Sequence, residues 1–108
     1  MSTLDASSLH VEVRATEEGP LIEVRGDLDM STVGDLWARI EELEPFGDVT
    51  LLDVSQLGFV DSTGISCLFR LHQRVADHGG MVVARGPSPQ IRRLLEMTQL
   101  NRLIAVLD

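Results

Sequence analysis

The spacing of apolar residues changes several times along the chain, and these changes divide it into strands and helices. Alternation of apolar and polar residues predicts a half-buried strand, and short continuous apolar runs predict strands that are buried on both faces. Five segments have such spacing: residues 9–14, 21–25, 49–54, 81–84 and 103–107. Because only a short turn containing Gly19 and Pro20 separates the first two strands, we expect them to form an antiparallel hairpin.

Three segments between these strands have the three- and four-residue apolar spacing of amphipathic helices. The first should begin at Ser31 or Thr32 after residues 26–29 break the second strand. The second should follow Asp61, and the third should begin at Ser88, a capping residue followed by a proline. The order β-β-α-β-α-β-α-β predicts an α/β fold, with a mixed sheet and helices on one or both faces.

Composition narrows the classes of protein to which this chain can belong. Its 108 residues, 44% of them hydrophobic, predict one globular domain over residues 9–108, preceded by a loose leader over residues 1–8. A net charge of −8 and an aromatic content of 4% disfavour nucleic acid and anionic membranes as partners. The single cysteine, Cys67, favours a reducing compartment, and no apolar run is long enough for a membrane helix. We therefore expect a cytoplasmic protein.

The turn before the second helix carries the clearest chemical signal. Asp61, Ser62 and Thr63 are residue types that cap helices, and Gly64 would allow another surface to approach the backbone closely. A hydroxyl at the positive end of a helix dipole is also a natural position for a phosphate group. These four residues therefore predict either a plain helix cap or a phosphorylation switch at Ser62.

A second polar turn precedes the first helix. Asp27 and Asp29 could lie on one side of an extended segment and bind a metal ion, or they could form a solvated capping turn. Because this turn and Ser62 both follow strands and precede helices, we expect them to share one edge of the sheet. The three histidines are scattered, Cys67 has no visible base, and phosphate-binding loops are lacking. We therefore expect no catalytic residues, no metal and no cofactor.

Several of these segments together resemble the signature of the STAS domain family, in particular the bacterial anti-anti-sigma factors (anti-sigma factor antagonists). The resemblance rests on Asp53-x-Ser55 followed by residues 59–65, and it covers nearly the whole chain. Residues 26–29 resemble the family's turn before the first helix. Residues 79–83 resemble its strand before the third helix, and residues 87–95 resemble the third helix itself. The family often continues into a fourth helix, whereas this chain is short at the C-terminus.

The resemblance implies a partner-switching cycle that regulates transcription, for example in a stress response. The unphosphorylated protein would bind an anti-sigma factor that is also a serine kinase, and so release a sigma factor. Phosphorylation at Ser62 would break this complex, and a protein phosphatase would restore it. We expect six residues to bind the partner: Asp27, Asp29, Asp61, Ser62, Thr63 and Gly64. Two alternatives stay open: a small STAS subunit of a membrane transporter or lipid-trafficking complex, and a nucleotide-binding STAS module.

Overall fold

The computed structural model describes residues 9–44 and 46–108, and in these residues the order of strands and helices is the one that the sequence predicts. The leader expected over residues 1–8 lies outside the described residues. The elements are β1 (Leu9–Ala15), β2 (Pro20–Leu28), α1 (Val33–Glu41), β3 (Val49–Val60), α2 (Ser62–Asp77), β4 (Met81–Arg85), α3 (Pro89–Met97) and β5 (Ala105–Leu107). A single 3₁₀ turn, Leu100–Arg102, lies between α3 and β5.

The strands stand in the sheet in the same order as in the sequence. β1 pairs with β2 as the predicted antiparallel hairpin, and β2, β3, β4 and β5 pair as parallel neighbours. Because the carboxyl ends of parallel strands meet at one edge, the ends of β2 and β3 are adjacent, with Leu28 opposite Val60. This edge brings the segment after β2 next to the start of α2.

The three helices pack into one core on one face of the sheet. Fully buried side chains such as Ile40 on α1, Leu71 on α2 and Leu52 on β3 belong to this core. The opposite face carries a smaller buried cluster of Leu21, Leu51 and Val83. Its β1–β2 part is polar, with ion pairs between facing strands: Arg14 with Glu23 and Arg25 with Glu12.

The break expected in the second strand at residues 26–29 is wrong, because β2 continues through Leu28. β3 also extends beyond its predicted end at residue 54 and reaches Val60. The two strands stay paired over this length because β3 takes up extra residues at two register shifts, one of them between the partners of Gly26 and Asp27. Gly26 has a φ of 108°, which a glycine adopts without steric cost inside this irregular strand. The actual turn therefore begins at Asp29.

The last strand also differs from the sequence-based expectation, since it begins at Ala105 and not at Leu103. The carbonyl of Leu100 accepts hydrogen bonds from the backbone N–H groups of Leu103 and Ile104, at 2.9 and 2.8 Å. These bonds hold the preceding residues in a helical turn and keep them out of the sheet.

Candidate functional site

The site is built where β2 and β3 end side by side. The backbone N–H of Asp61, which follows β3, donates to the carbonyl of Leu28 at the end of β2, at 3.2 Å. The last residues of both strands are buried, and the chain leaves them toward α1 and α2. The two turns singled out in the sequence therefore lie together, as expected from the parallel pairing.

The carboxylate of Asp61 joins these two turns. Its Oδ1 atom accepts from the backbone N–H of Gly64 at 2.9 Å, which makes Asp61 the N-cap of α2, as predicted. Its Oδ2 atom accepts from the backbone N–H of Met30 at 3.2 Å, across 31 positions of sequence. Asp61 therefore holds the start of α2 and the turn after β2 in a fixed relation. The sequence offers no signal for the contact with Met30.

Ser62 is the first residue of α2, and its side chain is exposed. Because Asp61 supplies the oxygen that caps the helix, capping does not use the hydroxyl of Ser62. The hydroxyl also lies at the positive end of the α2 dipole. Thr63 is half-buried and faces the groove between α1 and α2. Of these two hydroxyls, that of Ser62 is the more accessible.

Gly64 is buried, and the close approach expected there is made by the chain itself. An added Cβ atom would lie 2.5 Å from the carbonyl oxygen of Leu28 and 2.7 Å from Cγ1 of Val60. The expectation that Gly64 opens its backbone to a partner is therefore corrected. The glycine is required because α2 starts directly against the end of β2.

Hydrogen bonds within the turn after β2 fix the position of Asp29. Its Oδ1 atom accepts from the backbone N–H and the hydroxyl of Ser31, at 2.9 and 2.7 Å. The hydrogen bond from the Ser31 hydroxyl is the main reason why the pKa of Asp29 is lowered from its ordinary value of 3.8. The buried Thr32 accepts from the N–H of Asp29 at 2.9 Å and donates to the carbonyl of Asp27 at 2.8 Å. Asp29 is thus an anion held in place by its own turn.

Asp27 lies on β2 itself, opposite Phe59 of β3. It is half-buried, and its Oδ1 atom would be 3.6 Å from a Cβ atom added at Gly58. The Asp27 side chain therefore lies beside the irregular end of β3, close to Gly58. Asp27 and Asp29 lie at the same edge of the sheet as the start of α2, as expected. Whether they contact a partner remains a prediction.

Grooves lie on both sides of the first turns of α2. On the α1 side, a groove of about 240 Å³ is lined by Thr63, Ser66 and Trp37. The Arg70 guanidinium stands 4.2 Å from the centre of the Trp37 ring, a cation–π contact that forms one wall of this groove. On the other side, a groove of about 390 Å³ separates α2 from the 3₁₀ turn.

Large apolar side chains are exposed at the end of β3, on α2 and α3, and after the 3₁₀ turn. Phe59 is 51% exposed and Met97 is 72% exposed, and these two residues line one further groove of about 230 Å³. Phe69 and Leu103 are also exposed and line the groove between α2 and the 3₁₀ turn. Sequence reasoning missed this surface, since Phe69 and Leu103 lie in segments whose spacing predicts burial. Such a surface is typical of protein–protein contact.

Cys67 and possible metal ligands are the other groups considered for chemistry. Burial raises the pKa of the Cys67 thiol to about 11, so that the reactive thiolate is scarce at neutral pH. Within residues 9–44 and 46–108, no group of three or more histidine, cysteine or acidic side chains is placed to hold a metal ion. In the same part of the chain, no helix is long and apolar enough to cross a membrane.

Comparison with known families and structures gives the class of protein. The family model described as "Mlab, STAS domain" matches residues 11–107. The chain therefore belongs to the STAS domain family.

Several solved structures share the fold. An anti-sigma factor antagonist from Mycobacterium paratuberculosis is 24% identical, with a TM-score of 0.80, over 93% of this chain and 86% of that one. The Bacillus cell fate determinant SpoIIAA in its phosphorylated form is 21% identical, with a TM-score of 0.68, over 91% and 89% of the two chains. A sulfate transporter family protein from Wolinella succinogenes is 18% identical, with a TM-score of 0.72, over 82% and 75%.

Proposed function

We propose that this protein is an anti-sigma factor antagonist controlled by phosphorylation at Ser62. In its unphosphorylated form it binds an anti-sigma factor that is also a serine kinase, and it thereby releases a sigma factor. The protein is the substrate of this kinase in the cytoplasm and is not itself an enzyme. The observation that carries the proposal is the position of Ser62, exposed at the first residue of α2 while Asp61 performs the capping.

The surroundings of Ser62 explain how one phosphate would break a complex. A phosphoserine carries a charge of about −1.5 to −2 at neutral pH. It would stand beside the Asp61 carboxylate and at the edge of exposed apolar side chains such as Phe69. The α2 dipole would offset part of the local repulsion, so the fold should survive. A partner surface pressed against Ser62 would instead face an unpaired charge, and truncation or mismatch of buried charges typically costs about 2–5 kcal/mol.

The proposed contact surface comprises the two turns at this edge of the sheet. Asp29 and Thr63 in these turns, and Asp27 at the end of β2, offer oxygen atoms to a basic patch of the partner. Gly64 contributes by allowing the turns to pack together, not by exposing its own surface. A protein phosphatase would need access to the same exposed serine to reverse the modification.

The first test is phosphorylation by each anti-sigma factor kinase encoded in the same genome. Incubation with ATP should modify one peptide, and Ser62→Ala should abolish the modification. Ser66→Ala is the matched control, because Ser66 is also exposed on α2, one turn further along. Thr63→Ala tests the neighbouring hydroxyl in the same assay. Full labelling of the Ser62→Ala variant, or no labelling of the wild-type protein by any of these kinases, would refute the proposal.

The second test is affinity for the same anti-sigma factor, measured by titration calorimetry. Ser62→Ala should bind like the wild type, whereas Ser62→Asp should bind at least about tenfold more weakly, which corresponds to about 1.4 kcal/mol. The aspartate carries less charge than a phosphate, so phosphorylated wild type should bind more weakly still. Equal affinities for all forms would place the effect of phosphorylation elsewhere.

The second candidate function is a STAS subunit of a membrane transporter or lipid-trafficking complex. The similarity of fold to a sulfate transporter family protein favours it. Under this alternative, the protein would copurify with a permease, and binding would be the same for Ser62→Ala and Ser62→Asp. Neither variant should then alter a sigma-dependent reporter.

A further inference from the structure

The charge of this acidic chain is unevenly distributed. Residues 81–108 contain four arginines against two acidic residues, whereas residues 1–80 contain five arginines against fifteen acidic residues. All nine basic residues of the chain are arginines. The segment that includes α3 and the 3₁₀ turn is therefore the basic part of a protein whose net charge is −8.

Three of these four arginines, Arg85, Arg93 and Arg102, have no ionic partner within the described part of the chain. Arg92 on α3 pairs with Asp108, but neither Arg93 nor Arg102 forms an ion pair with any residue of 9–44 or 46–108. Both arginines are exposed. Arginine presents a planar set of donors that matches a carboxylate, so these two side chains are suited to bind acidic groups from outside the molecule.

Arg93 and Arg102 each border an apolar groove. Arg93 lines the groove of about 230 Å³ that also contains Phe59 and Met97. Arg102 lines the groove of about 390 Å³ between α2 and the 3₁₀ turn, which also contains Phe69. Apolar surface and unpaired positive charge therefore occur together in both grooves.

The larger groove lies along the face of α2 that carries Ser62. Ile65 and Phe69 follow Ser62 by three and seven positions on α2, a spacing that places all three residues on one face of the helix. Ile65 and Phe69 line the groove. A segment lying in the groove would therefore reach the hydroxyl of Ser62 at its end.

We propose that the grooves bordered by Arg93 and Arg102 are the docking surface for an amphipathic segment of the anti-sigma factor. This segment would place apolar side chains against Phe69 and Met97 and carboxylates against the two arginines. The inference rests on the proposed function and adds the chemistry of the partner. Charge complementarity selects an acidic segment, and the position of Ser62 on the same face of α2 explains why a phosphate there would interfere with docking.

The test compares charge reversals that are identical except for their position. Arg93→Glu and Arg102→Glu should each weaken binding to the anti-sigma factor by about tenfold or more, and more strongly at low salt. Arg85→Glu is the control: Arg85 is also exposed and without an ion pair among the described residues, but it lies on β4, at the sheet. It should change the affinity by less than about twofold. Binding is followed by biosensor measurements at two salt concentrations, with circular dichroism to verify folding.

A second pair of variants tests the apolar part of the surface. Met97→Gln should weaken binding several-fold, because Met97 is 72% exposed at the groove and its replacement leaves the core intact. Met81→Gln is the control, since Met81 is 46% exposed on β4 and lines neither of the two grooves. Equal binding by both variants would contradict docking at the groove.

The outcomes separate this inference from the proposed function. If the wild type binds an anti-sigma factor and all three arginine variants bind equally well, only the docking surface is refuted. If the wild type binds no anti-sigma factor of its own genome, both proposals fail. A wild-type dimer in sedimentation velocity that dissociates in Arg102→Glu would assign the surface to a second copy of this chain and overturn the inference.

Discussion

A single methyl group at position 64 provides the sharpest test of how the site is built. In Gly64→Ala, the new Cβ atom would lie 2.5 Å from the carbonyl oxygen of Leu28, 2.7 Å from Cγ1 of Val60 and 3.1 Å from Cγ of Leu28. Distances below 3 Å to a backbone atom cannot be relieved by rotating a side chain. The start of α2 must therefore move away from the end of β2.

This movement has a cost that can be worked out from the contacts involved. Overpacking of a tight site typically destabilises a protein by about 1–3 kcal/mol. The carbonyl of Leu28 also accepts a hydrogen bond from the N–H of Asp61 at 3.2 Å. Loss of this bond would remove about 0.5–1.5 kcal/mol of net stability. The higher helix propensity of alanine relative to glycine offsets about 0.5–1 kcal/mol of this loss. We therefore expect Gly64→Ala to lower the free energy of unfolding by about 1–3 kcal/mol.

The same substitution at Gly34 is the matched control. Gly34 lies on α1, and a Cβ atom added there meets no other atom within 4 Å. Gly34→Ala should therefore stabilise the protein, by about 0.4–1 kcal/mol, because alanine restricts the unfolded chain and favours the helix. Urea denaturation with a common m-value measures both effects. In thermal unfolding, each 1 kcal/mol should shift Tm by about 4–8 °C in a domain of this size.

Opposite signs for the two variants would establish that Gly64 is required by internal packing. If Gly64→Ala is as stable as the wild type, or shifts in the same direction as Gly34→Ala, the contact between α2 and Leu28 is wrong. Phosphorylation of Gly64→Ala should be slow even where its fold is retained, because the first turn of α2 carries Ser62 and has to move.

Three further predictions concern the same region. Asp61→Ala should reduce the free energy of unfolding by about 0.5–2 kcal/mol, because it removes the cap of α2. Ser88→Ala, which removes a cap with a single hydrogen bond, is the control. If Asp61→Ala is no more destabilising than Ser88→Ala, the hydrogen bond from Met30 to Asp61 contributes nothing. Ser31→Ala should raise the pKa of Asp29 toward 3.8 in an NMR titration, and an unchanged pKa would contradict the role of the Ser31 hydroxyl. Because this pKa is lowered in the folded protein, Asp29 stabilises the fold above pH 3.8. This stabilisation is lost as the pH falls through the pKa of Asp29 in the folded protein. Cys67 should not react with Ellman's reagent at pH 8 until the protein is unfolded in urea, and rapid reaction of the native protein would contradict its burial.

Features that depend on neighbours in sequence could be predicted from the sequence. Helix caps are one case, because the capping oxygen and the N–H group that it accepts from are three positions apart. Asp61 with Gly64 and Ser88 with Ile91 both follow this rule. The order of strands and helices is another case, since each element buries one face and so imposes its own apolar spacing on the chain.

Features that depend on tertiary contacts could not be predicted in this way. A glycine at position 64 indicates that something approaches closely, but only the fold shows that the neighbour is Leu28 and not a partner. The bond between Asp61 and Met30 arises from the pairing of β2 with β3, which no local pattern encodes. Similarly, spacing on α2 marks Phe69 as apolar, but its exposure depends on where the 3₁₀ turn lies.

The tight construction of the site bears on how a phosphate at Ser62 would act. Asp61, the residue before Ser62, is held by four hydrogen bonds, two through its backbone and two through its carboxylate. Gly64, two positions after Ser62, is packed so closely against the carbonyl of Leu28 that an added methyl group would clash with it. A modification between two such fixed points cannot easily refold the turn. Under the proposed function, the phosphate therefore acts by placing charge at the end of the docking groove, and the scaffold itself keeps one conformation in both states.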